Sequence, residues 1–155
     1  MDIDIGIEEE ARKRLAEGLA GLLADTYTLY LRTHGYHWNV TGPRFGQLHL
    51  LFEQQYLELQ GAVDVIAERI RALGSFAPGS FGELTRLASL PDEEGVPTDE
   101  VMVEKLADAH QSLVRTARRL VRAAEEAADV ATADLVTARL DIHEKTAWML
   151  RSSLS

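Results

Sequence analysis

Residues 74–99 read GSFAPGSFGELTRLASLPDEEGVPTD. Glycine, proline and serine recur through the stretch, and these residues interrupt regular structure. Within it, Ser80-Phe81-Gly82-Glu83 has the spacing of a capping box, which predicts one short helix over FGELTRL, residues 81–87. A linker of about 25 residues lets the chain travel the length of a helix bundle before the next long helix begins. The patterns on either side therefore decide the topology.

Both flanks are helical. Upstream, a first helix is predicted from near Ile7, with Glu8, Glu9 and Glu10 in the turn where the helix dipole favours acids. Its apolar stripe is Leu15, Leu19, Leu22/Leu23, Thr26 and Leu29/Tyr30, and it ends near Asn39 or Val40. Thr41-Gly42-Pro43 stops that helix and restarts a second, predicted from about Pro43 to about Leu73 and closed by Gly74. Downstream, a third helix follows Thr98, with Met102, Leu106, Ala109, Leu113, Ala117, Leu120 and Ala124 on one face. AADVATAD, residues 127–134, is read as a loop before a fourth helix whose stripe includes Leu135, Ile142 and Met149. The expected fold is all-α: a four-helix bundle with short first and third connections and a short helix in the long middle one. No internal repeat or strand pattern appears.

The chain of 155 residues fits one domain, residues 1–155. It contains no cysteine, which excludes disulfides and thiolate metal sites and predicts a reducing compartment. No apolar run reaches the ~18 residues of a membrane span, and MDIDIGIEEE has no signal-peptide character, so a cytoplasmic location is expected. The net charge of −9 disfavours general nucleic-acid binding and suits cations.

The second helix carries His49, Glu53, Asp64 and Glu68. At ~100° per residue they lie at roughly 0°, 40°, 60° and 100°, on one face. Asp64 and Glu68 are like charges at i, i+4, a mild cost that a bound cation would offset. The alternative for each residue alone is ordinary: the acids pair with Arg69 or Arg71, and His49 is a hydrogen-bonded interface histidine. The two pairs are centred about 15 residues apart, or about 22 Å along a straight helix. Donors around two metal ions fall within roughly 8 Å, so one chain cannot bring both pairs to one site. Two antiparallel copies of the helix can. His49 with Glu68 and Glu53 with Asp64 are centred on the same point between Glu58 and Leu59, where Gly61 and Ala62 leave room for close approach. A two-fold axis there predicts two equivalent intersubunit sites. His37 lies just before the turn and reaches the height of His49 in an antiparallel hairpin. Two imidazoles and three carboxylates make a nitrogen and oxygen set suited to iron, manganese or zinc. The Glu-x-x-His motifs of intrachain di-iron bundles are missing; Asp141-Ile142-His143-Glu144 has its histidine at the wrong offset.

HWNVTGPRFGQLHLLFEQQY, DVIAERIRALG and the closing ATADLVTARLDIHEKTAWMLR together resemble the Dps family of ferritin-like mini-ferritins over nearly the whole chain. The resemblance implies a ferritin-like bundle assembled as a hollow homo-dodecamer with tetrahedral symmetry. It implies ferroxidase centres at two-fold interfaces, where iron(II) is oxidised, preferentially by hydrogen peroxide, and stored as ferric mineral. The family's iron ligands fall on His37, His49, Glu53, Asp64 and Glu68; position 53 departs from the aspartate common in relatives. Trp38 matches a tryptophan beside the centre that intercepts oxidising equivalents, with packed interface aromatic as its other reading. Acidic three-fold pores near the start of the last helix put Glu125, Glu126, Asp129 and Asp134 forward, with helix-end and N-cap acids as the alternative. DNA-binding relatives commonly use lysine-rich tails; here about six acidic or apolar residues precede the first helix and the chain ends RSSLS. DNA binding is therefore expected to be weak at most, with any nucleoid association secondary. Two rival readings share these residues: a shell that sequesters divalent metal without redox turnover, and a nucleoid-compacting protein. Roles for His34, His110 and His143 stay open.

Overall fold

The computed structural model describes residues 3–154; Met1, Asp2 and Ser155, which belong to the tails considered for DNA binding, lie outside the described residues. Five helices make up the fold: α1 (Glu9–Asn39), α2 (Phe45–Ala72), α3 (Phe81–Leu87), α4 (Asp99–Glu126) and α5 (Val130–Ser152). The four long ones form the bundle and α3 is the short helix within the long connection. Leu15, Leu19, Leu22, Leu23, Thr26 and Leu29 of α1 are buried, and so is every residue of the stripe predicted for α4.

The ends of the helices follow local chemistry. Leu73, Gly74 and Ser75 close α2 in a Schellman motif: Ser75 N–H donates to the Ile70 carbonyl at 3.2 Å and Gly74 N–H to that of Arg71 at 3.0 Å. Gly74 has φ +95°, a conformation costly for any side chain. Ser80 accepts the Glu83 N–H, as the capping box requires, and Thr98 caps α4 by accepting from Val101 N–H.

Contacts to α1 and to the α1–α2 turn trace the long connection. Arg12 holds the Leu73 carbonyl at its beginning, at 3.1 Å. The buried carboxylate of Asp25 then accepts from Ser89 N–H, the Ser89 hydroxyl and Leu90 N–H. Arg32 donates to the Pro91 carbonyl, and Arg44 in the α1–α2 turn binds Asp99, where α4 begins. The linker thus climbs the full length of α1, and α4 starts at the end of the bundle that holds the turn.

The fourth long helix departs from expectation. α5 starts at Val130 rather than after residue 134, so the connection from α4 is only residues 127–129. Ala128 adopts φ +54°, and Asp129 N–H donates to the Ala124 carbonyl, closing α4 in a second Schellman motif. Asp129 then caps α5 by accepting from Thr132 N–H at 3.0 Å. Nor does α5 bury Leu135, Ile142 and Met149. Its buried face is Thr132, Val136, Arg139, His143, Ala147 and Leu150, one residue further round the helix, while Met149 is exposed.

Polar groups explain the shift. Arg139 pairs bidentately with Glu58 of α2, and its Nη2 donates to His143 Nε2 at 3.2 Å. His143 Nδ1 meets His110 Nδ1 of α4 at 2.8 Å. Since Arg139 only donates, His143 accepts at Nε2 and carries its proton on Nδ1, which it donates to His110. His110 therefore carries its proton on Nε2, a buried atom without a partner among the described residues. Burial, followed by the charge of Arg139, pushes His110 down to about 3. Burial also holds His143 well below its ordinary value, with His110 and Arg139 adding to the effect.

Candidate metal centre

The turn between α1 and α2 sets the site. Val40 N–H donates to the Tyr36 carbonyl at the end of α1; Gly42 takes φ +104°, and Phe45 N–H returns to the Gly42 carbonyl at 3.0 Å. Such a tight reversal levels His37 with His49. Their rings stack with centroids 3.8 Å apart and planes 16° from parallel. His37 Nδ1 lies 2.8 Å from the His49 carbonyl, and His49 Nδ1 lies 2.8 Å from the His37 carbonyl. A carbonyl can only accept, so both rings carry hydrogen on Nδ1, and both Nε2 atoms keep a free lone pair. Backbone carbonyls orient metal-binding histidines in this way, fixing the tautomer and raising the basicity of the ligating nitrogen.

Farther along α2 the acids stand without partners. Arg69, the first arginine considered for Asp64 and Glu68, is turned to Asp129 at 2.8 Å and to Thr132. Arg71 donates to the Ser75 carbonyl and stacks over Phe76. Among the described residues, Glu53, Asp64 and Glu68 take part in no hydrogen bond or ion pair of the subunit. Asp64 and Glu68 are exposed, and Glu53 is half-buried. Among the described residues, no group of three or more His, Cys, Asp or Glu is close enough to hold a metal ion. The histidine end and the acid end of α2 stay apart within one subunit, as their spacing requires.

The face that carries them is apolar as well as charged. Leu50 and Leu57 are 58 % and 52 % exposed and lie at roughly 80–100° from His49 on the helix wheel, beside Glu68. Gly61 is exposed too, and a Cβ added there would meet nothing within 4 Å. Exposed leucines among unpartnered carboxylates form a surface suited to another protein.

An aromatic cluster borders the histidine pair. Tyr56 stands edge-on to His37, with centroids 5.1 Å apart, and stacks on His34 at 4.1 Å. His34 also lies against Trp38, at 4.0 Å. Trp38 itself is 59 % exposed, and among the described residues its ring contact is with His34 rather than with the pair. Tyr56 lies seven residues after His49, on the same face, so helical spacing alone marks it as a neighbour of the pair.

The four acids near the α4–α5 junction divide. Glu125 and Glu126 are exposed in the last turn of α4, where the helix dipole disfavours negative charge and no basic residue offsets it. Asp134 is exposed near the start of α5. Asp129 is 2 % exposed, capping α5 and paired with Arg69. Burial raises its pKa, but bonds from Thr132 and Arg69 outweigh that and hold it below the ordinary value. Its carboxylate is committed inside the subunit, and Asp129 rather than Asp134 is the N-cap of α5.

The family described as "Ferritin-like domain" matches residues 16–155. The chain is 42% identical over 152 residues to an uncharacterized low temperature-induced protein of Nostoc, covering 97% of this chain and 85% of that one. It is 34% identical to the DNA protection during starvation protein of Porphyromonas gingivalis, covering 94% and 91%. The fold superposes on the crystal structure of a Dps protein from Vibrio cholerae with a TM-score of 0.95 and 31% identity, covering 100% and 98%. That protein is described as a member of a broad superfamily of ferritin-like diiron-carboxylate proteins.

Proposed function

The chain belongs to the Dps family of ferritin-like proteins, and we propose that it oxidises ferrous iron at centres shared by two subunits and stores the ferric product. The observation that carries this reading is the His37–His49 pair: two Nε2 lone pairs presented together, on rings locked by reciprocal bonds to backbone. One subunit supplies these imidazoles and Glu53; the partner's Asp64 and the partner's Glu68 complete the set across an antiparallel α2 contact. Exposed Leu50 and Leu57 would be buried there, and the acids would gain the cation they lack within the subunit.

Iron is the substrate of this site, and zinc or manganese would suit the same donors. Hydrogen peroxide is the proposed oxidant. It accepts two electrons, one from each of two ferrous ions, and two protons, and leaves as two waters. The carboxylates offset charge as iron goes from the ferrous to the ferric state, and Trp38, through His34, intercepts stray oxidising equivalents. Residues 1–155 act as one domain and assemble as a hollow dodecamer in the cytoplasm. Glu125, Glu126 and Asp134 draw cations to its pores. Among the described residues no helix is long and apolar enough to cross a membrane. DNA is protected by chemistry, through the joint removal of peroxide and ferrous iron, with direct binding weak or absent.

Anaerobic ferrous loading followed by peroxide tests this function. A rise in ferric absorbance with about one peroxide consumed per two iron ions is expected. Metal uptake with no peroxide consumed would instead establish a passive divalent-metal shell, and retardation of DNA at physiological salt would favour the nucleoid-compacting alternative.

A further inference from the structure

Part of the exposed charge of α4 lies in two blocks of opposite sign. Glu104 and Asp108 occupy its first half, and Arg115, Arg119 and Arg122 its second; all five are exposed. At ~100° per residue they fall within a sector of roughly 60° and form one stripe. On the same helix, Lys105 is matched inside the subunit by Glu93 at 2.7 Å and Arg118 by Glu144. The stripe is not. Among the described residues, Glu104, Arg115 and Arg122 make no hydrogen bond or ion pair. Asp108 has only a 3.4 Å contact from Gln111, and Arg119 only the Thr116 hydroxyl at 3.2 Å.

Within one chain this arrangement is repulsive: Glu104 with Asp108 and Arg115 with Arg119 are like charges at i, i+4. Against a second copy running antiparallel it becomes complementary. A register that sets Glu104 opposite the second copy's Arg119 also sets Asp108 opposite its Arg115, because both pairs are centred between Gln111 and Ser112. A two-fold axis at that point doubles the ion pairs and relieves both repulsions. We infer that the α4 stripe is a docking face for a second copy of this chain, used in addition to the α2 contact. It lies on a different helix from the candidate metal centre and does not depend on that site. Nucleic acid is the other partner the arginines would attract, but the acid block of the same stripe and a net charge of −9 repel phosphate.

Exposed ion pairs are individually weak and screened by salt, so this association belongs to low ionic strength and high protein concentration. Charge exchange tests it. One variant carries Glu104→Arg with Asp108→Arg, the other Arg115→Glu with Arg119→Glu, giving the four facing positions a single sign in each. Sedimentation velocity compares them with wild type at about 20 mM and about 500 mM salt. Wild type should show a heavier species at low salt that disperses at high salt. Each variant alone should need at least about tenfold more protein to form it, and an equimolar mixture of the two should recover it. A neutral pair, Glu104→Gln with Asp108→Asn, repeats the loss should a reversal impair folding. The inference is overturned by a salt-independent wild type, by a variant that associates alone as wild type does, or by a mixture that fails to recover. A heavier species formed only when duplex DNA is added would overturn it in favour of nucleic acid.

Discussion

His110 and His143 share one hydrogen bond inside the bundle, Nδ1 to Nδ1 at 2.8 Å, and Arg139 blocks the only other acceptor of the pair. Neither ring can take a second proton without placing a buried charge beside the Arg139 guanidinium. Folded, His110 titrates at about 3 and His143 well below 6.5; unfolded, both titrate near 6.5. Below that value the unfolded state binds more protons than the folded one, so stability falls as pH falls through 6.5 toward 3. Above pH 7.5 both states are neutral and the effect vanishes. His110 should cost about 2 kcal/mol at pH 5 relative to pH 7.5, and His143 adds in the same direction. His110→Gln keeps an acceptor for His143 and removes one titrating group. Denaturant midpoints at the two pH values, at fixed protein concentration, should differ less for the variant; an equal difference would refute the assignment.

Ala128 holds a left-handed turn, φ +54°, that glycine adopts without cost. Its side chain is exposed. Ala128→Gly should therefore stabilise the α4–α5 junction by roughly 0.5–1 kcal/mol, partly offset by the entropy glycine adds to the unfolded chain. Thermal unfolding measures it, and a lower melting temperature would contradict the strain reading.

Gly61 separates folding from assembly. Within the subunit its position faces open space and lies inside α2, so Gly61→Leu should fold with equal or greater helix stability. At an antiparallel α2 contact the added side chain lies between backbones that need to approach closely. The variant is expected to give native circular dichroism together with dissociated subunits by light scattering. Retention of the wild-type mass would exclude the α2 contact proposed for the centre.

How much of this was legible in the sequence depends on what set each feature. Three long helices, the short α3 and the linker followed from apolar period and capping residues, because aliphatic side chains fill those interfaces: all of Met102, Leu106, Ala109, Leu113, Ala117, Leu120 and Ala124 are buried. α5 did not follow. Its core face includes Thr132, Arg139 and His143, polar residues that a hydrophobicity pattern assigns to solvent, and only partners on α2 and α4 make their burial tolerable. Asp129 was obscured for a related reason. The cap is short-range, but the Arg69 that holds it comes from sixty residues away. At the centre, residue spacing foresaw the separation of histidines and acids along α2. It could not supply the reciprocal backbone bonds of His37 and His49, which depend on the exact turn at Gly42.

The division of α2 into a histidine end and an acid end makes complementation a decisive measurement. His49→Ala damages the imidazole half of one centre, and Asp64→Ala damages the carboxylate half of the other. Alone, each variant spoils every centre in its own homodimer, so ferrous oxidation by peroxide should fall at least tenfold for both. In a mixed dimer both lesions meet in one centre, and the second centre receives an intact His49 from one subunit and an intact Asp64 from its partner. Random exchange makes half the dimers mixed, each with one good centre of two, so an equimolar mixture should regain about a quarter of the wild-type rate. A centre built within one chain predicts no such gain, since every chain in the mixture carries a lesion. With exchange verified by mass spectrometry of labelled subunits, a rate no higher than the mean of the two variants would rule out ligands shared across the interface.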